Sequence, residues 1–301
     1  MRDGMGQRPV GLIGLGLLGK AIAGRLLRGG YAVAGCDPNP DARAAAAEMG
    51  VAVAAGHGAV AASCGVILLS LPNSEIRREL LWGAGGLAAA LSEGTLLLDT
   101  TTGRPEDTVS DWEKLGDRQV DLVDVCVLTS SRQTEAGEAI LLVGDAESRA
   151  AGYAPLLATF SKQQFYLGKP GDGSRMKLVA NQVLGLNRLV LAEALGLAEK
   201  CGLDLEKTLE VLQSGPAASQ VMVTKGSRMI AGDFAPDARL AQHAKDVGLI
   251  LAMGEACRAE LPVSKLHQEV LARLIDQGHG GDDNAAVAKA FRDYGRGAGG
   301  A

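Results

Sequence analysis

Apolar residues in the first half of the chain come in short unbroken runs, at 10–14, 31–36, 66–69, 95–98, 120–125 and 139–143, with a weaker run at 164–167. A Gly- or Pro-marked turn and a stretch with helical spacing separate each run from the next. Runs this short, apolar without alternation, suit strands buried on both faces. Their regular exchange with helical stretches predicts βαβ units and a parallel sheet covered by helices on both sides. The rhythm stops after Gly168-Lys169-Pro170-Gly171-Asp172-Gly173. Residues 174–200 then read as one long helix, and helical patterns continue at 204–213, 217–231, 238–258, 263–277 and 284–294 without strand-like alternation. The expected organisation is an α/β domain with a doubly wound sheet over 1–168, then an all-helical domain over 169–294. A long interdomain helix joins them, and 295–301 form a disordered tail.

Composition narrows the function classes. Hydrophobic residues make up 47% of the 301, which excludes an intrinsically disordered chain. With two Trp, four Tyr and four Phe, the core must be built from aliphatic side chains. A net charge of −5 is not the basic footprint of a nucleic-acid binder. Cys36, Cys64, Cys126, Cys201 and Cys257 are scattered and never form C-x-x-C, so they read as thiols in a reducing compartment. His57, His243 and His267 lack metal-ligand spacing, and no metal is expected. No unbroken run of eighteen apolar residues exists, so no membrane association is expected. Residues 10–19, behind Arg8, mimic a secretory signal. Asp3 in the would-be basic region argues against that reading, and a cytoplasmic protein is expected.

The same stretch has a chemical explanation. Gly14-Leu15-Gly16-Leu17-Leu18-Gly19 closes the first strand and opens the first helix. In such a G-x-G-x-x-G the first Gly permits a tight turn, the second lets backbone approach a pyrophosphate, and the third lets helix pack on strand. The helix N-terminus supplies N–H groups and a favourable dipole. Asp37 ends the second strand, where its carboxylate can accept hydrogen bonds from the adenine ribose. A carboxylate there repels the extra phosphate of NADP. Arg43, the nearest cation, sits about one helical turn too far along to reverse that. The pattern predicts NAD in preference to NADP.

Lys177 and Asn181, four apart, share a face of the long helix where the two domains are expected to meet. A lysine and an amide suit carbonyl reduction: the ammonium gives a proton to the developing alkoxide, and in oxidation the amine takes it back. Together with the glycine motif, Leu71-Pro72-Asn73, Asp99-Thr100-Thr101-Thr102, the segment from Gly171 through Lys177 to Asn181, and Lys245-Asp246 resemble the β-hydroxyacid dehydrogenases. This is the family of 3-hydroxyisobutyrate dehydrogenase and, more distantly, 6-phosphogluconate dehydrogenase. The resemblance covers the whole chain in order. It implies a Rossmann-type domain, Lys177 as catalytic lysine and Asn181 as active-site asparagine, with Ala180 in place of a second asparagine. It also implies cofactor contacts at Gly14, Gly16, Leu17, Leu18, Gly19, Asp37, Leu71, Pro72 and Thr102, and at Phe234 and Lys245. A homodimer or homotetramer is implied as well.

One segment departs from the family. Where D-A-P-V-S-G-G is usual, this chain reads Asp124-Val125-Cys126-Val127-Leu128-Thr129-Ser130, then Ser131-Arg132. The serine that would bind a substrate carboxylate is Leu128, and both glycines are gone. Leu128, Thr129, Ser130 and Ser131, with Lys177 and Lys245, are the expected substrate contacts. Alternatively, the loop's hydroxyls cap the helix that follows. The expected substrate is a small, anionic hydroxy acid of the 3-hydroxyisobutyrate type. Two alternatives stand beside it: a reductase of a sulfonated or phosphorylated aldehyde or an imine, and a non-catalytic NAD-binding protein.

Overall fold

The structure, a computed structural model, describes residues 8–294, so the expected tail at 295–301 lies outside the described residues. The chain divides into two compact units, Met1–Lys177 and Leu178–Ala301. The division falls inside the long helix, nine residues beyond the change of rhythm at 168.

The first unit holds β1 (Val10–Ile13), β2 (Val33–Cys36), β3 (Ala52–Val53), β4 (Val66–Leu69), β5 (Leu96–Asp99), β6 (Asp121–Val127), β7 (Ala139–Val143) and β8 (Ser161–Tyr166). They form one sheet in the order β3-β2-β1-β4-β5-β6-β7-β8. Within each central strand the side chains divide between two cores. Leu12, Leu68, Leu98 and Val123 enter one, while Ile13, Ile67, Leu69, Leu97 and Leu122 enter the other. That is why these runs are apolar without alternation. Truncating one such leucine to alanine costs about 2–5 kcal/mol.

Two features depart from the sequence reading. The strand β3 leaves no apolar run because it is two residues long and both are exposed. The sheet is also not wholly parallel, since β7 runs antiparallel to β6. Only residues 128–138 connect them, which is short for a crossover that would restore parallel direction.

The helices of the first unit are α1 (Leu17–Arg28), α2 (Pro40–Glu48), α3 (His57–Ser63), α4 (Ser74–Trp82), α5 (Leu87–Ala90), α6 (Pro105–Gly116), α7 (Ser131–Glu135), α8 (Glu147–Ala150) and α9 (Ala154–Leu157). Next comes α10 (Asp172–Lys200), of 29 residues, which carries the chain from the first unit into the second. By length and composition alone it would match a bilayer span, which a search for unbroken apolar runs misses because charges interrupt it. Arg188 is buried within it, as in the core helix of a globular protein.

The second unit adds α11 (Leu205–Ser214), α12 (Gln220–Ala231), α13 (Leu240–Ala256) and α14 (Pro262–Asp276) around one core that includes Leu191, Leu195, Val247, Leu271 and Leu274. The pattern expected as a helix at 284–294 is a 3₁₀ segment, Asn284–Ala290. It is anchored by Asp283, whose carboxylate accepts from the N–H groups of Asp237, Ala238 and Ala285 and pairs with Lys225.

Candidate active site

The order of the strands reverses between β1 and β4, where α/β sheets place their ligand crevice at the strands' carboxyl ends. Gly14 makes the turn out of β1 with φ 96°, and a Cβ on it would lie 2.2 Å from the Ser70 carbonyl oxygen after β4. A Cβ on Gly19 would lie 2.0 Å from the Gly14 oxygen. Both glycines are therefore demanded by the packing of turn, helix and strand. Gly16 is different: a Cβ there meets nothing within 4 Å. It is the N-cap of α1, with no side-chain cap and no acid in the first turn. Protein packing does not explain this glycine, whereas an anion resting against backbone and free N–H groups does. The turn fits the pyrophosphate of a dinucleotide. Leu17 beside it is 77% exposed, and Leu18 is half-buried against the core.

Asp37 follows β2 and turns back to this loop. Its Oδ2 accepts from Leu15 N at 2.7 Å and its Oδ1 from Asn39 N at 2.8 Å, so the carboxylate is fixed before any ribose arrives. Arg43 is closer than spacing suggests. Its Nη1 donates to the carbonyl oxygens of Asp37 and Pro38, at 2.8 and 2.9 Å. Helix periodicity misplaces it because α2 begins only at Pro40, and the long side chain folds back over the turn.

After β4, Leu71 is half-buried, Pro72 is exposed and Asn73 caps α4 by accepting from Ile76 N. Asp99 at the end of β5 pairs with the fully buried Arg77 of α4, which also pairs with Asp111 and reaches Thr108 Oγ1. Asp99 in turn accepts from Thr101 N. This buried network, invisible in the sequence, fixes the Thr100–Thr102 segment from beneath. Thr102 is half-buried at the top of it and is not the cap of α6, since Arg104 holds that position.

The lysine is positioned through an anchor that sequence reasoning passed over. Asp124, buried in β6, accepts from Gly171 N at 2.8 Å and Ser174 N at 2.7 Å. It thereby satisfies N–H groups at the start of α10 that have no partner inside the helix. Burial pushes its carboxyl above the usual range, and the N–H groups of Gly171 and Ser174 oppose that shift. Gly144 and Gly173 leave room for it: a Cβ on either would lie 2.0 or 2.8 Å from a carboxylate oxygen of Asp124. One turn further along α10, Lys177 Nζ donates to Val127 O at 2.7 Å, the last carbonyl of β6. The ammonium therefore sits at the opening of the 128–132 loop.

Within that loop the donors are unevenly committed. Leu128 N continues the β6–β7 pairing to Ile140 O. Ser130 forms a capping box with Gln133 at the start of α7, the structural role foreseen for the loop hydroxyls, and Ser131 is the first helical residue. Thr129 Oγ1 is buried with no hydrogen-bond partner. Cys126 is fully buried beside Ser174, and its thiol is pushed up to about 12 by burial first and Asp124 next, which makes it a packing residue.

In the second unit, Asn181 Nδ2 donates to Asp246 Oδ2 at 3.1 Å, which fixes the amide. Lys245, half-buried, precedes that aspartate on α13. Phe234 meets Tyr294 edge-on at 5.1 Å, with the Lys289 ammonium over its ring. Further along α10, Arg188 is buried, and its Nη2 lies 3.1 and 3.2 Å from the two ring nitrogens of His243. The His267 ring stands 5.2 Å from that of His243. Among the described residues, no group of His, Cys, Asp and Glu could hold a metal ion.

Known proteins match over most of the chain. The family described as the NAD binding domain of 6-phosphogluconate dehydrogenase matches residues 9–168. The one described as NAD-binding of NADP-dependent 3-hydroxyisobutyrate dehydrogenase matches residues 171–291. The chain is 32% identical to 2-(hydroxymethyl)glutarate dehydrogenase of Eubacterium barkeri over 283 residues, 94% of each chain. It is 27% identical to L-threonate dehydrogenase of Cupriavidus necator, over 95% of this chain and 96% of the other. Among solved structures, 3-hydroxyisobutyrate dehydrogenase of Mycobacterium tuberculosis with L-serine superimposes with a TM-score of 0.87 at 26% identity, covering 95% of this chain and 99% of that one.

Proposed function

The chain belongs to the β-hydroxyacid dehydrogenase family of NAD(P)-dependent enzymes, and from that premise we propose that it interconverts a small hydroxy acid of the 3-hydroxyisobutyrate type with its carbonyl form. Lys177 is the general acid and base, and NAD is preferred over NADP. The observation that carries the reading is the seat of Lys177. Its Nζ is tied to Val127 O at the end of β6, and Asp124 on the same strand holds the start of its helix.

The Gly14–Gly19 turn and Asp37 would hold the dinucleotide, whose nicotinamide would supply or accept the hydride when bound. Lys177 gives its proton to the substrate oxygen as the carbonyl is reduced and takes it back on oxidation. Fixing the ammonium by a main-chain carbonyl limits its motion, so little orientational freedom is left to lose when substrate arrives. Asn181, with its Nδ2 committed to Asp246, presents Oδ1 as an acceptor for a substrate hydroxyl. Thr129 supports a contact to an anionic substrate, because its buried hydroxyl has no internal bond to give up. The cofactor preference rests on the pre-set carboxylate of Asp37.

We also propose that the enzyme works in the cytoplasm on a small anionic molecule and assembles as a homodimer or homotetramer. Its five free cysteines support the first part. Exposed Val183, Val190 and Leu197, seven apart on α10, support the second, and light scattering measures the assembly.

A panel of short 3-hydroxy acids, sulfonated and phosphorylated aldehydes and cyclic imines, read by NADH absorbance, tests the reaction. Turnover of hydroxy acids by the wild type and loss of about 10²–10⁴ in kcat in Lys177→Ala are expected, with NADH affinity kept. Unchanged turnover in that variant overturns the mechanism.

A further inference from the structure

We propose that Arg188 and His243 are positioning residues for Asn181: their contact fixes α13 in register along α10, so that Asp246 meets the Asn181 amide. This rests on the role given to Asn181 above and deepens it.

Three observations within the second unit carry it. The first is alignment. Asn181, Gly185 and Arg188, spaced by four and then three, are buried on one face of α10. His243 and Asp246, spaced by three, share a face of α13. Asp246 accepts from Asn181 and His243 from Arg188, so the two helices run antiparallel and these contacts are rungs of one ladder. Between the rungs Gly185 lets the helices close, since a Cβ there would lie 2.5 Å from His243 Nε2 and 2.7 Å from its Cε1. The second observation is the choice of residue. Arg188 is 5% exposed, its Nη2 lies against the neutral His243 ring, and its Nε has no hydrogen-bond partner among the described residues. A guanidinium buried on a neutral ring costs more than an aliphatic side chain in the same place. Burial draws it down to about 10, and the charges of Asp283 and Asp246 oppose that, which places the cation in the field of the acid that holds Asn181. The third is the surroundings. Leu191, Leu195 and Val247 share the core around the ladder, and burial of such side chains is not directional.

Aliphatic packing therefore sets how close the helices lie, and the directional bond from Arg188 to His243 sets where along α10 the second helix stops. A buried polar pair of this kind specifies register at a cost in stability. A slip of α13 by a fraction of a residue would part Asp246 from Asn181 Nδ2 and turn Oδ1 away from a substrate hydroxyl. A purely structural pair would instead stabilise the fold and leave the amide where it is, and this difference separates the two roles.

The test joins thermal unfolding, turnover of 3-hydroxyisobutyrate with NAD, and the side-chain amide resonance of Asn181 in asparagine-labelled protein, assigned by its loss in Asn181→Ala. The double variant Arg188→Leu/His243→Leu is expected to keep or raise the melting temperature, because it removes a buried charge together with its partner. Its kcat should nonetheless fall about tenfold or more, the scale of a misplaced active-site group, with NADH affinity kept and the Asn181 resonance shifted or broadened. His243→Gln, which keeps an acceptor for the guanidinium, should stay within about threefold of wild type and hold the resonance in place. In an Asn181→Ala background the double substitution should cost less than about threefold further, since residues that act through one group do not add. Arg188→Met is read in parallel and carries the same expectations for turnover and resonance if the double variant does not fold. A folded variant with wild-type turnover and an unmoved Asn181 resonance overturns the proposal. So does an equal loss with and without Asn181, which would assign the pair to stability alone. Failure of the wild type to turn over 3-hydroxyisobutyrate counts against the proposed reaction, while the Asn181 resonance still decides the positioning, so the two readings fail separately.

Discussion

Acidification should unfold this protein from the second unit, and the cause is a pair of imidazoles that the fold cannot hydrate. His243 and His267 are 7% and 2% exposed. A Cβ on Gly185 would lie 2.5 Å from His243 Nε2 and 2.9 Å from His267 Cε1, so the backbone of α10 packs directly against both rings there. The Arg188 guanidinium faces His243 and needs its ring as an acceptor, which a protonated imidazole cannot be. Burial first, and then Arg188 and the neighbouring ring, hold His243 down at about 2. Burial and Arg188 hold His267 at about 4.

The sign follows from which state takes up protons. The unfolded chain titrates both histidines near about 6.5, while the folded chain leaves both neutral there. Stability is therefore complete above that value and declines as pH falls toward the folded pKa values. At about pH 5.5 each histidine forfeits about 1.4 kcal/mol, so the pair costs about 2.5–3 kcal/mol relative to pH 7.5. That is a large share of a typical folding stability of about 5–15 kcal/mol. Urea unfolding followed by helical circular dichroism at the two pH values measures it, and His267→Gln should remove about half of the difference. Imidazole C2–H resonances give the direct check. Either ring titrating near pH 6.5 in the folded protein would refute the reasoning.

The three motif glycines should separate by consequence. Gly14→Ala and Gly19→Ala drive a Cβ into a carbonyl oxygen and should lose several kcal/mol, read by thermal unfolding of the protein without cofactor. Gly16→Ala should fold with its melting temperature unchanged and yet lose cofactor affinity, because the space its methyl fills is the ligand's. Ser130→Ala removes the capping box of α7 and should cost about 1 kcal/mol in urea unfolding. A thiol reagent should modify Cys201 and Cys257 rapidly in the native protein, because both are exposed. Cys36, held up at about 11 by burial, and Cys126, held up at about 12, should react only on unfolding, so a third fast thiol would contradict their placement.

What could be read from the sequence was whatever local chemistry dictates. The strands that face two cores announce themselves as unbroken apolar runs, as Val66–Leu69 does, whereas the two exposed residues of β3 leave no trace. Glycines at turns can be placed by motif, but the motif does not say which is demanded by packing. Only Cβ clearance separates Gly16 from Gly14 and Gly19. The reversal of β7 depends on a connection just too short to cross over, a matter of a few residues in loop length. The side chains that hold the site were hidden for a different reason. Arg77 reaches Asp99 and Asp111 across 22 and 34 residues, and Asp124 reaches Gly171 and Ser174 across 47 and 50. No periodicity encodes such pairings.

Arg43 shows the same limit at short range. A spacing rule places its Cα a turn away, but a side chain of that length returns over the loop to the carbonyl of Asp37. Asp124 carries the same limit to the proposed general acid and base. Its carboxylate holds the N-terminus of α10, and the next turn of that helix carries Lys177 to a carbonyl of the same strand. The position of Lys177 is thus set by a buried acid on the strand that its ammonium meets. An active-site motif read along the chain records the lysine and omits the residue that aims it.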